Sequence, residues 1–398
     1  MAVAEAVFWV CGALLLYVFV GYPLLMRALG RAFPRRIRRA PIEPSVSVLV
    51  VARDEQARVV ARLSNLIRLD YPSDRVEILL GSDGSIDATV RATRPFEYRV
   101  HVFDFPSRRG KAAVLNDLVS RASGEILIFA DARQHFSPTA LRALVAPFAD
   151  PAVGGVGGEL VLADREDASE VGRGMGAYWR YEKAIRAAES AFGSTVGATG
   201  AVYAIRRSLY EPIPPDTILD DVLIPMRIVR RGFRVVFEPR AQAIDRPPED
   251  ARHELRRKIR TIAGNFQLFA RERWLLDPRR NPVWLQTVSH KGLRLLGPAL
   301  LAGTLGASLL LSGRPMFGAA LAAHLFVATA AALDAVTRES GRRIPGFSAA
   351  FFFVLLQVAT VAAFVRFARG RLDGIWEPSC HSSAASSNST RSSERSIR

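Results

Sequence analysis

Cysteine is almost missing from this 398-residue chain, with Cys11 in an apolar run and Cys380 in a Ser-rich tail as the only two. Neither a disulfide framework nor a cysteine metal cluster can be built from them. Also lacking are a helix-turn-helix, a zinc-finger spacing and an RNA-binding signature, so the formal charge of +16 finds no nucleic-acid motif to serve. Much of that charge borders apolar runs, where an anionic cytoplasmic leaflet attracts it. Positive charge is missing where a cleavable signal peptide needs it. Glu5 precedes the first apolar run, whereas Arg27, Arg31, Arg35, Arg36, Arg38 and Arg39 follow it. An uncleaved anchor with its C-terminal side cytoplasmic is the expectation.

Charge of either sign is scarce in four long stretches. The chain is 49% hydrophobic, high for a soluble enzyme, and the excess is unevenly spread. Ala6 to Met26 carries no charge and reaches about 31 Å as a helix, one bilayer core. Leu295–Leu311, Met316–Val336 (with His324 and Asp334) and Phe347–Val365 follow near the C-terminus. One membrane helix before the central segment and about three after it are expected. With an external N-terminus, four crossings return the tail to the outside. Arg338, Arg342 and Arg343 fit that arrangement, and Arg366, Arg369 and Arg371 fit it poorly, so the side of the tail stays open. The expected division is an anchor and basic segment over 1–40, a cytoplasmic domain over 41–284, a membrane region over 285–370, and a disordered Ser-rich tail over 371–398.

Strands and helices alternate in the central segment. Val46–Ala52, Val76–Leu80, Tyr98–Phe105 and Glu125–Ala130 read as strands; Arg58 to Leu69 and Lys111 to Ala122 read as helices. The strands end in Asp or Gly, a pattern that predicts an α/β domain with a mainly parallel sheet and helices on both faces. Ligands gather at the carboxyl ends of such strands, so Arg53-Asp54-Glu55, Asp83 and Asp131 are expected around one crevice. Gly172 to Ala177 fits a loose G-x-G-x-x-G/A form but follows the charged stretch Asp164–Glu170 and not a strand. It is read as a flexible helix start.

Four short pieces then stand in order. They are Ala52-Arg53-Asp54-Glu55; Ser82-Asp83-Gly84-Ser85-Ile86-Asp87; Arg109-Gly110-Lys111 through Asn116, with Asp131-Ala132-Arg133; and Leu219-Asp220-Asp221, with Arg231-Gly232-Phe233-Arg234 beyond a helix. Their order and spacing resemble the family 2 glycosyltransferases, which have the GT-A fold, from Val46 to about Asn265. The flanking apolar helices resemble the subgroup that includes cellulose, chitin-oligosaccharide and hyaluronan synthases.

The resemblance implies a nucleotide diphospho-sugar donor, UDP-linked by analogy, across the strand tips. It implies Glu55 and Asp83 at the base and ribose, where carboxylates accept hydrogen bonds. Lys111, opening a helix, suits phosphate or one of the strand-tip acids. Asp131 matches the first acid of the D-x-D motif, and Arg133 stands where the second acid is often the metal ligand. A divalent cation (Mg²⁺ or Mn²⁺) held through Asp131, diphosphate and water is expected, since few protein ligands are needed. Alternatively Arg133 neutralises the diphosphate itself, or donor binding is lost. Asp221 matches the catalytic base and Asp220 its acidic neighbour; the plain alternative is that these acids cap the following helix, and Asp220 is assigned partly to that task.

Gly197-Ala198-Thr199-Gly200-Ala201 matches a loop lining the acceptor site. Tyr178, Trp179 and Tyr181 could pack against sugar rings, but their helical spacing favours packing on the domain. Arg260 matches the arginine of a Gln-x-x-Arg-Trp motif and is expected at the diphosphate. Arg257 and Thr261 replace its Gln and Trp, which removes a stacking surface and argues against processive synthesis. The same region also reads as a basic amphipathic helix on the membrane surface. The expectation is a multi-pass inner-membrane enzyme with its catalytic domain in the cytoplasm and lipids around its helices. It would move a sugar to a glycan or lipid-linked glycan in cell-surface polysaccharide synthesis, with no nucleic-acid partner. A polyprenyl-phosphate glycosyltransferase and a catalytically weak binding protein are the alternatives.

Overall fold

The computed structural model describes residues 1–162, 170–245, 251–339 and 346–371. The chain starts with α1 (Ala2–Leu16) and α2 (Tyr22–Ala32), joined without a break by a π-helical turn, Tyr17–Gly21. The elements of the central segment follow: β1 (Val46–Ala52), α3 (Val59–Ile67), β2 (Val76–Asp83), α4 (Thr89–Thr93), β3 (Val100–Phe105), α5 (Lys111–Arg121), β4 (Ile126–Asp131), β5 (His135–Phe136), α6 (Ala140–Val145), β6 (Val153–Leu162), α7 (Glu170–Phe192), β7 (Val202–Arg206), α8 (Asp220–Arg230), β8 (Arg234–Asp245) and α9 (Ala251–Arg271). After them come the short α10 (Trp284–Gln286) and α11 (Leu293–Leu295), then α12 (Gly297–Leu310), α13 (Pro315–Glu339) and α14 (Phe347–Ala368).

The strands form one sheet in the order β3-β2-β1-β4-β7-β6-β8-β5. β1 pairs in parallel with β2 and β4, β2 with β3, and β6 with β8; β7 runs antiparallel to both β4 and β6, and β5 to β8. The parallel half was legible, because β1, β2 and β4 are largely apolar and buried. Val46, Val48 and Val50 of β1 pack against Leu63 and Leu66 of α3, while Leu49 and Val51 pack against Val114, Leu115 and Leu118 of α5. The antiparallel half makes the sheet mixed, and nothing in the residues read as strands announced it.

Register aligns the strand tips. Val51 stands opposite Asp131 and Ala52 opposite Ser82, so the ends of β1, β2 and β4 share one edge. Immediately beyond β1, Asp54 takes φ 51°, a left-handed conformation uncommon for a residue with a Cβ. Its carboxylate accepts the N–H of Ile86 at 2.9 Å, tying the first polar tip to the second. Gly81 in β2 lets α5 press close, since a Cβ there would lie 2.4 Å from Val114 Cγ1. The same packing carries Lys111, the first residue of α5, to the strand edge.

Among the described residues three helices are long and apolar enough to cross a membrane: Ala2–Ala32, Pro315–Thr337 and Phe347–Ala368. A bent pair, Trp284–Leu295 with Gly297–Leu310, would make a fourth. These match the four apolar stretches of the sequence; the tail beyond 371 lies outside the described residues. A buried polar joint fastens the apolar helices to the sheet domain. Tyr22 of α2 donates to Glu189 of α7 at 2.5 Å, and His290 bridges Glu189 (2.7 Å) and Glu182 (3.0 Å). Arg294 pairs with the other oxygen of Glu182. Tyr22, Glu182, Glu189, His290 and Arg294 thus each bond to another member of the joint.

Gly81→Ala is expected to cost about 1–3 kcal/mol by overpacking β2 against α5, read as a lower unfolding midpoint. Val114→Ala in the same chain should recover much of it. Equal midpoints for wild type and Gly81→Ala would contradict this account of α5.

Candidate active site

At the shared strand edge lies an open cavity of about 620 Å³. Of the expected residues, Glu55, Lys111, Asp131, Arg133, Asp220, Asp221 and Arg260 all line it. Asp83 does not. It is 1% exposed, and its carboxylate accepts the backbone N–H groups of Arg109 at 2.6 Å and Gly110 at 3.0 Å. It thus anchors the turn that starts α5 and holds Lys111 in place. Gly110 serves that turn with φ 91°, a conformation glycine adopts freely. Glu55, 2% exposed, pairs with Arg58 at 3.1 Å.

Lys111 is the centre of the charge arrangement. Its ammonium lies 3.0 Å from Asp131 and 3.4 Å from Asp220, joining the tip of β4 to the start of α8. Burial opposes its charge, but Asp131, Asp220 and Asp221 outweigh burial and hold its pKa above the usual range. Burial likewise opposes ionisation of Asp131; Lys111, and then Arg133, overcome it and hold that carboxyl below its usual value. Arg133 itself turns to Asp245 at the end of β8 (3.4 Å), which also accepts from Gln134 at 2.8 Å. The charge reversal at position 133 therefore comes with an acid from a distant strand.

Asp220 and Asp221 open α8, but the N-cap is Leu219, and neither carboxylate caps the helix. The capping reading is thereby corrected. Asp220 accepts from Tyr203 (3.2 Å) and faces Lys111; Asp221 accepts the N–H of Gly200 at 2.8 Å. Gly200 belongs to the small-residue loop, three of whose members, Thr199, Gly200 and Ala201, line the cavity. Burial first, and the charge of Asp220 second, push Asp221 up to about 6. A carboxylate so tuned can accept a proton near neutral pH.

Sequence reasoning preferred packing on the domain over sugar contact for Trp179, and it missed the end of α14. Trp179 lines the cavity, with Lys258 over its ring at 5.3 Å, so α7 supplies an indole although position 261 is threonine. Tyr181, of the same cluster, packs in the polar joint as expected, donating to the carbonyl of Phe19 at 2.9 Å; the side chain of Tyr178 lies outside the described residues. Arg366, Arg369 and Arg371 reach the cavity from α14 and just beyond it. Only their place beside an apolar stretch was visible in the sequence.

Among the described residues no cluster of three or more His, Cys, Asp or Glu could hold a metal by itself. Asp131 remains usable as one ligand. Lys111 engages its Oδ1, no bond within the described residues engages Oδ2, and the side chain is about a quarter exposed. That suits a hard cation held largely by substrate phosphates.

The fold is GT-A. Its likeness to the mannosyltransferase PcManGT from Pyrobaculum calidifontis, solved with GDP-Man and Mn²⁺, has a TM-score of 0.71 at 24% identity, covering 92% of this chain and 99% of that one. The family model for glycosyl transferase family 2 matches residues 47–213 of this chain. The poly-β-1,6-N-acetyl-D-glucosamine synthase of Staphylococcus epidermidis is 23% identical over 277 residues, 68% of this chain and 65% of that protein. An N-acetylglucosaminyltransferase of Rhizobium leguminosarum bv. viciae is 26% identical over 241 residues, 56% of each. The matches thus span less than two thirds of these relatives' length. Asp220, Asp221 and Arg260 lie beyond the matched segment, so their place in the cavity is an independent structural finding.

Lys111→Met leaves Asp131 and Asp220 without their shared cation, an expected loss of about 3 kcal/mol at neutral pH. The sign follows from the lowered pKa of Asp131. Its contribution is full above the unfolded carboxylate value of 3.8 and fades as pH falls through the lower folded value. Unfolding midpoints of both proteins across acidic pH check this; a penalty independent of pH would count against the ion pairs.

Proposed function

We propose that this chain is a membrane-anchored, inverting glycosyltransferase. It moves a sugar from a nucleotide diphospho-sugar, UDP-linked, to a hydroxyl of a glycan or lipid-linked glycan in cell-surface polysaccharide synthesis. The observation that carries the reading is Asp221. It has a pKa of about 6 and lines the same cavity as Lys111, Asp131 and Arg260.

In this reading Lys111, Arg133 and Arg260 receive the diphosphate by charge-assisted hydrogen bonds. Glu55 contributes to donor recognition, while Asp83 acts indirectly through the turn before Lys111. Asp221 takes the proton of the acceptor hydroxyl as its oxygen attacks the anomeric carbon. The anomeric carbon–oxygen bond to the nucleoside diphosphate breaks on the opposite face, so configuration inverts. The N–H of Gly200 orients the base, and Trp179 offers a face for an acceptor sugar. A divalent cation, Mg²⁺ or Mn²⁺, fits at Asp131 and would supply charge neutralisation for the departing diphosphate. The Mn²⁺ in the mannosyltransferase complex supports that assignment. Relatives named for N-acetylglucosamine make UDP-N-acetylglucosamine the first donor to test. Four crossings in the inner membrane, with the catalytic domain in the cytoplasm, complete the reading.

Asp221→Asn is expected to lower transfer about 10²–10⁴-fold while donor binding persists; wild-type rates in that variant would remove the base from the mechanism. In the wild type, the rate should fall below a midpoint near pH 6, where the base becomes protonated. Asp220→Asn removes a neighbouring negative charge, so that acid limb should move to lower pH; an upward move would refute the coupling.

Excess EDTA should abolish most turnover, and Mn²⁺ or Mg²⁺ should restore it. Full turnover in chelator would assign the diphosphate to Lys111, Arg133 and Arg260 alone.

A further inference from the structure

A general base works only where its carboxylate meets the arriving hydroxyl, and the stretch that leads to Asp221 has little regular structure to hold it. Residues 211–219 run on the way from β7 to α8 without helix or strand. Pro212, Pro214 and Pro215 carry no N–H, so this stretch cannot join a ladder along its length. Within it one backbone turn closes, from the N–H of Thr217 to the carbonyl of Pro214 at 3.0 Å.

Two side-chain amides supply the missing pairing. Asn116 accepts the N–H of Ile213 at 3.0 Å and donates to the carbonyl of the same residue at 2.8 Å. Gln267 is buried; it accepts the N–H of Ile218 at 3.1 Å and donates to the carbonyl of Asp216 at 2.9 Å. Each amide uses both its ends, as a neighbouring strand would. Gly264, on the same helix as Gln267, lets α9 lie close against the stretch. A Cβ there would stand 2.7 Å from Leu219 Cγ and 2.8 Å from Ile218 Cγ2. The helices that carry these amides are also those that bring cations to the cavity. Asn116 stands on α5, which begins with Lys111, and Gln267 on α9, which carries Arg260. Asp221 is held again from its far side. Its backbone carbonyl accepts the N–H of Ala198 at 2.7 Å, and its carboxylate accepts that of Gly200. A displacement of about 1 Å at a reacting group can lower a rate roughly 10²-fold.

We propose that Asn116 and Gln267 are positioning residues for Asp221, and that they fix the base relative to the cations of Lys111 and Arg260. The inference deepens the glycosyltransferase reading, on which it rests, by naming the groups that place its base. Neither amide lines the cavity. Both act through the stretch that ends in Asp221.

The test compares Gln267→Met and Asn116→Leu with the wild type, as full chains in nanodiscs, by hydrogen–deuterium exchange. The Gly200 amide is bonded to the Asp221 carboxylate, so its exchange reports the base without any substrate. In both variants exchange at Gly200 is expected to quicken about tenfold or more, while exchange over β1 stays within about twofold. UDP affinity should also stay within about twofold. Turnover of UDP-N-acetylglucosamine should lose about tenfold or more in kcat with KM unchanged. In an Asp221→Asn background the same changes should lower turnover by less than about twofold, because the group they place is gone. Gln267→Glu is the further variant if Gln267→Met fails to fold. It keeps the acceptor for Ile218 and loses the donor to Asp216, and a smaller change in the same direction is expected. Unchanged exchange at Gly200 would overturn the proposal, since the base would be held without the amides. Equal quickening over β1 would overturn it by making them general stabilisers. A full loss of turnover added to that of Asp221→Asn would overturn action through the base, and a parallel loss of UDP affinity would move the amides to the donor end. A wild type that neither binds UDP nor turns over the donor would instead sink the glycosyltransferase reading, and exchange at Gly200 separately decides whether the amides fix Asp221.

Discussion

One ammonium group between two carboxylates organises this site. Lys111 touches Asp131 from β4 and Asp220 from α8, two segments almost ninety residues apart in sequence. Three acids crowded at one sheet edge would repel each other and any diphosphate. With Lys111 among them, Asp131 stays ionised, while Asp221, more affected by burial and by Asp220, is left near pH 6. The difference between these environments separates a carboxylate suited to a charge-holding role from one suited to proton transfer. Much of the surrounding structure positions that lysine. Asp83 fixes the preceding turn, Gly81 admits α5 against β2, and β1 sets the register of the strand tips.

The joint between sheet domain and apolar helices follows the opposite logic. There Glu182, Glu189, His290 and Arg294 bond to one another in a buried network, and the cavity at Asp131 is left open. A bonded network suits a fixed seam, and a basic collar suits a site that receives anions. That contrast separates structural charge from charge available to ligand within the same chain.

Much of the catalytic half could be read from sequence because its chemistry is local. β1 was bounded by its β-branched run, α5 by Gly110 and Lys111, and the four long apolar stretches by their lack of charge. The acids at the strand tips followed from the βα alternation and the family resemblance. What was not legible depends on long-range pairing. The antiparallel insertion of β7 leaves no distinct local pattern. Asp245 meets Arg133 only because β8 returns beside β5 and β6. Helical spacing made Trp179 look like core, because the partner that leaves it at the cavity, α9, is distant in sequence. Asp83 was expected at the donor, yet two backbone amides claim its carboxylate.

The central claim is that Lys111 makes one nucleotide-diphosphate cleft out of these scattered acids. Isothermal titration of UDP into the purified full chain, beside Lys111→Met, tests it most directly, with each protein first checked for folding. The account predicts one saturable site in the wild type and binding about tenfold or more weaker in the variant. Equal affinity in the two folded proteins, or no saturable site in the wild type, would contradict it.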